Sequence, residues 1–298
     1  MRALVVGGLS GQVARELAAL DGPEFAITVR GRPYLDLASP ATLFAAMREA
    51  ESDVVICSGA YTSVDQAEKE PDLARAINAD GPTALANACA VAGVPIVHLS
   101  TDYVFDGAKT SPYVETDPTS PQSVYGATKR DGEIGVTASG ARHVILRVSW
   151  VHAPRGKNFV RTMLRLANSR GHVGVVADQI GRPTYAAHLA TALRDIAARL
   201  VLDSSAPTGI FHLTGSGEAC SWLQFAETVF AASQARGGPF AVADPIPTSA
   251  YPTPARRPAN SVLDCKRIAD AYSLVMPHWT QGVEECVASI AAKGWQLT

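Results

Sequence analysis

In the first half of the chain, short runs of Val, Ile and Leu alternate with longer stretches in which apolar positions recur every three or four residues. The runs fall at residues 3–6, 25–29, 53–58, 95–100 and 144–151. Most lack polar alternation, as strands buried on both faces should. Helical spacing fills residues 12–20, 40–51, 72–92 and 123–139. Such strand–helix alternation predicts an α/β fold, a doubly wound parallel sheet with helices on both sides. The second half changes character. Helices are predicted at 158–170, 186–202, 222–234 and 282–292, and only 210–213 reads clearly as a strand. Residues 244–258 hold five Pro. Pro lacks a backbone donor and fixes φ, so this stretch is expected to be an extended loop rather than an element. The expected division is a nucleotide-binding domain over 1–155 and a mainly substrate-binding, mostly helical region over 156–298, some of which returns to the sheet.

Composition narrows the class. The chain has 298 residues, 47% of them apolar and 18% charged, with a formal net charge of −2. That excludes a disordered chain, which needs low hydrophobicity and high net charge. The five Cys form no CxxC pair and leave an odd count, which argues against a disulfide scaffold. Basic and acidic residues nearly cancel, 26 against 28, so no bulk field attracts nucleic acid or an anionic membrane. No apolar run approaches the ~20 residues of a membrane span. The N-terminal run is too short for a signal-peptide core. A cytoplasmic protein with reduced thiols is expected.

The first strand runs directly into Gly7-Gly8-Leu9-Ser10-Gly11-Gln12-Val13-Ala14. A dinucleotide pyrophosphate must approach bare backbone at a helix N-terminus, where N–H groups point outward. Gly8 permits the tight turn, Gly11 the close approach, and Ala14 takes the small third position. The context, strand before and helix after, points to a Rossmann-type dinucleotide site. The second strand ends Val29-Arg30-Gly31-Arg32 where NAD-type sites often carry a carboxylate. Guanidinium groups suit a 2′-phosphate, so NADPH is the expected cofactor, with NADH as the alternative.

Tyr125 and Lys129 are four residues apart on a predicted helix and therefore share a face. An ammonium ~4 Å from a phenol contributes roughly 4 kcal/mol at an effective dielectric of ~20, about three pKa units. The expectation is a Tyr125 phenol drawn toward neutrality as a general acid, against the opposing cost of burying a phenolate. The preceding strand ends in Ser100-Thr101-Asp102-Tyr103. Ligands bind at the carboxyl ends of strands in open α/β sheets, which places Thr101 where its hydroxyl can meet a substrate carbonyl.

These segments resemble the extended short-chain dehydrogenase/reductases, and within them the dTDP-4-dehydrorhamnose reductase family. The resemblance rests on the glycine turn, on residues 100–105 and 125–129, and on Ala60-Tyr61-Thr62-Ser63-Val64-Asp65, Arg147-Val148-Ser149-Trp150-Val151, Asp178-Gln179-Ile180-Gly181-Arg182-Pro183-Thr184 and residues 250–258. It spans essentially the whole chain. It implies hydride transfer from a reduced nicotinamide to C4 of a 4-keto-6-deoxyhexose on dTDP. Thr101, Tyr125 and Lys129 would be catalytic: Tyr125 protonates the alkoxide, Lys129 holds the nicotinamide ribose, and Thr101 orients the carbonyl. Gly8, Ser10, Gly11, Gln12, Val13, Arg30, Asp36, Leu37, Gly59, Ala60, Tyr61 and Tyr103 would join Tyr125 and Lys129 in holding the cofactor. Thr62, Val64, Thr101, Trp150, Asn158, Arg182, Arg256 and Arg257 would contact the sugar nucleotide. Some members join two subunits through a metal held by glutamates. Glu16 matches one such position, but Ala187 stands where a second glutamate is expected. No metal and no metal-bridged dimer are therefore expected. Dehydratases of the superfamily carry Thr-Asp-Glu where this chain has Thr101-Asp102-Tyr103. Two readings stay open beside the rhamnose enzyme: a reductase for another dTDP-hexose, and a non-catalytic NADP-binding regulatory subunit.

Overall fold

The computed structural model describes residues 1–297. Six strands make one parallel sheet: β1 (Arg2–Val6), β2 (Ala26–Arg30), β3 (Val54–Cys57), β4 (Ile96–Thr101), β5 (His143–Val148) and β6 (Gly209–His212). Their spatial order is β2-β1-β3-β4-β5-β6. The order reverses between β1 and β3, which opens a crevice beyond their carboxyl ends.

The helices that build the layers are α1 (Gln12–Ala18), α2 (Pro40–Ala50), α3 (Gly81–Ala92), α4 (Val124–Ala138), α5 (Phe159–Ala167), α6 (Ala186–Leu202), α7 (Trp222–Gln234) and α8 (Trp279–Ala291), with shorter ones at Val64–Ala67, Pro71–Arg75 and Lys266–Tyr272. Strand β1 shows why its sequence is apolar throughout. Ala3 and Val5 face Val13, Leu17, Leu189 and Leu193 of α1 and α6, while Leu4 and Val6 face Leu43, Leu85 and Cys89 of α2 and α3. Successive strand side chains point to opposite faces, so two covered faces need two apolar sets. A second core joins α5, α7 and α8 through Leu164, Phe225, Val229, Val283 and Val287.

The division of the chain differs from a simple N-half and C-half. The second half returns α6 and β6 to the nucleotide-binding layer, with β6 pairing in parallel beside β5. The substrate-side region is therefore built from two pieces, one in the crossover from β5 to β6 that carries α5 and His172–Val176, and a longer one after β6 that carries α7, Val242–Ile246 and α8.

Three expectations are corrected. The helix expected over 72–92 is broken into Pro71–Arg75, a π turn at Ala76–Asp80 and α3. The strand expected over 144–151 stops at Val148; Val151–His152 instead pairs with Thr184–Tyr185. The Pro-rich stretch is not wholly loop, because Val242–Ile246 pairs with His172–Val176. Pro245 is tolerated there because a two-stranded ribbon leaves each strand an open edge.

Candidate active site

The site is assembled at the carboxyl edge of the sheet. The β1 turn, Gly7 to Gly11, is exposed apart from Gly7, which is half-buried. Gly11 caps α1 without a side-chain bond, so the first-turn N–H groups at Gln12 and Val13 have no side-chain acceptor there. Gly31 explains how the end of β2 reaches this turn: a Cβ at Gly31 would lie 2.7 Å from the Gly8 Cα. Arg30 and Arg32 therefore flank the turn, both exposed. A Cβ at Gly59 would lie 3.1 Å from the Leu37 Cδ1, so the end of β3 and the loop carrying Asp36 and Leu37 form one wall. Asp36 accepts the Ala38 N–H at 3.0 Å. Glycine at these approaches, a free helix terminus and exposed guanidinium groups make a surface that fits a phosphorylated dinucleotide.

Strand β4 and helix α4 bring the expected catalytic residues together. Ser123 caps α4, its Oγ accepting the Gly126 N–H at 3.1 Å. Gly126 lets the helix press onto the turn after β4; a Cβ there would stand 2.2 Å from the Tyr103 carbonyl oxygen. Tyr103 and Tyr125 consequently meet edge to face at 5.5 Å. The Thr101 hydroxyl hydrogen-bonds the Tyr125 phenol, accepts the Tyr103 N–H at 3.2 Å, and donates to the Asp102 Oδ1 at 3.1 Å.

Lys129 lies one turn further along α4 and is almost fully buried. Its Nζ donates to the Leu99 carbonyl at 2.6 Å and sits 3.3 Å from the His98 Nε2. This corrects the expected electrostatics. Burial raises the Tyr125 pKa above the ordinary phenol value, the Thr101 hydrogen bond opposes that rise, and Asp102 and Tyr103 reinforce it. Desolvation of the phenolate sets the direction, because the Lys129 ammonium turns to the Leu99 carbonyl instead of the phenol. Burial also lowers Lys129 to about 8.

Below Lys129, Glu133 takes a bidentate pair of bonds from Arg147, at 2.9 Å from Nε and 2.7 Å from Nη2, and one from the Ser100 hydroxyl. Both charged side chains are buried. The pair ties α4 to β4 and β5 under the site.

The expected substrate residues divide. Arg257 enters the site: its Nη2 bonds the Asp65 carboxylate at 2.7 Å, and its guanidinium lies 6.0 Å from the Tyr103 ring centroid. Its Nη1 is buried without a partner. Arg256 points outward toward Gln122 at 3.4 Å. Thr62 is exposed and Val64 opens the short helix Val64–Ala67. Arg182 donates to the Leu263 carbonyl at 3.1 Å and leaves its buried Nε unpartnered. Asn158 caps α5 by accepting the Arg161 N–H at 3.1 Å, and donates to the Gln12 Oε1 at 2.9 Å. Its amide is committed to joining the glycine turn to the second region. Trp150 stacks on Trp222, with centroids 3.6 Å apart, and packs against Gly181.

Sequence reasoning did not single out Asn78, Asp65, His98 or Ser261. Buried Asn78 accepts the Tyr61 N–H at 2.8 Å and donates to the Tyr61 carbonyl and the Thr128 hydroxyl. It stands in the π turn, and insertions of that kind often occur at functional sites. The polar break Asn78-Ala79-Asp80-Gly81-Pro82 was its available signal. Among the described residues no cluster of three or more potential metal-ligating side chains occurs.

The fold and site together define a dinucleotide-binding oxidoreductase architecture. Residues 1–292 match the family model described as RmlD substrate binding domain, and the chain belongs to that family. It is 46% identical over 292 residues to a dTDP-4-dehydrorhamnose reductase of Sinorhizobium fredii, covering 98% of each chain. A protein of the same name from Escherichia coli K12 is 39% identical, with 94% and 95% covered. The crystal structure of a dTDP-4-dehydrorhamnose reductase from Bacillus anthracis in complex with NADP aligns with a TM-score of 0.88 at 34% identity, covering 97% of this chain and 99% of that one.

Proposed function

We propose that this chain reduces the C4 keto group of a dTDP-4-keto-6-deoxyhexose with NADPH, and that its substrate is dTDP-4-dehydro-L-rhamnose. The observation that carries the reading is the pairing of Thr101 at the end of β4 with Tyr125 of α4, with Lys129 one turn further along that helix, in a chain that matches named reductases over nearly its whole length.

NADPH supplies the hydride. As the C4–H bond forms, the C=O electron pair moves onto oxygen, and the Tyr125 O–H delivers the proton that neutralises it. Thr101 orients the carbonyl. Lys129 would hold the nicotinamide ribose. Its lowered pKa of about 8, caused by burial, keeps its proton exchangeable near neutrality. Gln12 and Val13 meet the pyrophosphate at the start of α1. Arg257 clamps the substrate diphosphate through a charge-assisted bond.

The activity is tested by sugar-nucleotide-dependent loss of reduced-nicotinamide absorbance. NADPH is expected to be preferred over NADH. Arg30→Ala should shrink that preference by about tenfold, the worth of one charge-assisted hydrogen bond; an unchanged ratio of kcat/KM values would remove Arg30 from the site. Arg257→Ala should raise KM for the sugar nucleotide about tenfold, and Arg256→Ala much less, because only Arg257 faces the site. Equal effects of the two substitutions would contradict that assignment.

A further inference from the structure

Asp102 is the charged side chain nearest the reacting groups that the proposed reaction does not use. It is buried, 3% exposed, and belongs to no ion pair among the described residues. Its Oδ1 accepts the Thr101 hydroxyl proton at 3.1 Å, and its Oδ2 has no partner. The ionisable groups around it are Tyr103 on the same turn, Tyr125 on α4, and Arg257 on the Pro-rich arm with its partner Asp65. The Ser261 side chain also favours the ionised carboxylate.

A hydroxyl has one proton. The Thr101 oxygen already accepts the Tyr103 N–H, so its single proton has three competing acceptors: the Asp102 carboxylate, the Tyr125 oxygen and an incoming ketone oxygen. An ionised carboxylate only accepts and holds that proton. A neutral carboxyl can donate to the Thr101 oxygen instead and release the Thr101 proton toward the pocket.

We propose that Asp102 is a positioning residue that sets the direction of the Thr101 hydroxyl, and thereby decides whether Thr101 can donate to the substrate carbonyl. This rests on the reading that Thr101 contacts that carbonyl. The protonation of Asp102 then gates the reaction. Burial raises the Asp102 pKa to about 6, against the Ser261 and Thr101 hydrogen bonds that lower it. Reduction is favoured below that pH and slows as Asp102 ionises above it.

The test is the pH profile of single-turnover NADPH oxidation with dTDP-4-dehydro-L-rhamnose. The unaltered enzyme should lose about fivefold in rate across the Asp102 ionisation, the worth of one neutral hydrogen bond. Asp102→Asn can donate to Thr101 at every pH, so its profile should lack that limb. Ser261→Ala removes a bond that favours the carboxylate, and should shift the limb to higher pH. This second variant keeps the test open if Asp102→Asn fails to fold. Asp102 charge also bears on Tyr125. The two routes are separated in a Thr101→Val background, where Asp102→Asn should have no further effect on the limb. A limb retained in Asp102→Asn, one unmoved in Ser261→Ala, or an Asp102→Asn effect undiminished beside Thr101→Val would overturn the proposal. A Thr101→Val enzyme with full activity would instead overturn the reading of Thr101 on which it stands.

Discussion

Replacing Tyr125 with Phe is expected to lower kcat by about 10²–10⁴-fold, the usual contribution of a positioned general acid. The substitution removes one oxygen and leaves the ring. The edge-to-face contact with Tyr103 survives, as does the Ser123 cap of α4. Affinity for NADPH should therefore change little, and the loss should appear in kcat rather than in cofactor binding. Burial raises the Tyr125 pKa, so the phenol carries its proton throughout the neutral range. Measured single-turnover rates decide the matter. A Phe variant within a factor of about three of the parent would show that another group, or solvent, protonates the alkoxide.

Arg147→Met should cost about 3–5 kcal/mol of stability, because it strands the Glu133 carboxylate in the interior. Glu133 would keep only the Ser100 hydroxyl and lose both guanidinium bonds, at a position where the side chain is 4% exposed. The guanidinium also lies 4.9 Å from the Phe105 ring centroid, so packing is lost with the charge. Replacing both partners, Glu133→Leu with Arg147→Met, should recover most of the loss, since an apolar pair avoids the desolvation cost altogether. Urea unfolding measures this. A single variant that loses under 1 kcal/mol would mean that water or another cation reaches Glu133.

The sheet was legible because its chemistry is repetitive. β1 and β3 are apolar at every buried position, and only a strand covered on both faces requires that. The glycine turn was legible because Gly11 answers to backbone approach, a constraint that acts on one residue at a time, whereas the approach of Gly31 to Gly8 depends on how β2 pairs with β1. The ribbon of His172–Val176 with Val242–Ile246 was not legible, since its partners are some seventy residues apart and one contains Pro245. The π turn at Ala76–Asp80 leaves the apolar spacing of its flanking helices almost intact, so the periodicity ran straight through it. Site residues followed the same division. Thr101, Tyr125 and Lys129 announce themselves by type and spacing. Asn78, His98 and Asp102 owe their importance to which atoms they face across the fold, and the Gln12 partner of Asn158 and the Trp222 partner of Trp150 are equally products of placement. The Tyr125 electrostatics also depended on placement. Spacing puts an ammonium on the same helix face, but the Lys129 Nζ turns to the Leu99 carbonyl.

The most direct measurement is turnover of dTDP-4-dehydro-L-rhamnose with NADPH, with the product identified by NMR. The account predicts one NADPH consumed for each dTDP-L-rhamnose formed, and no such turnover above background when Tyr125 is Phe. A folded protein that binds NADPH yet leaves it unoxidised in the presence of this sugar nucleotide would contradict the assignment.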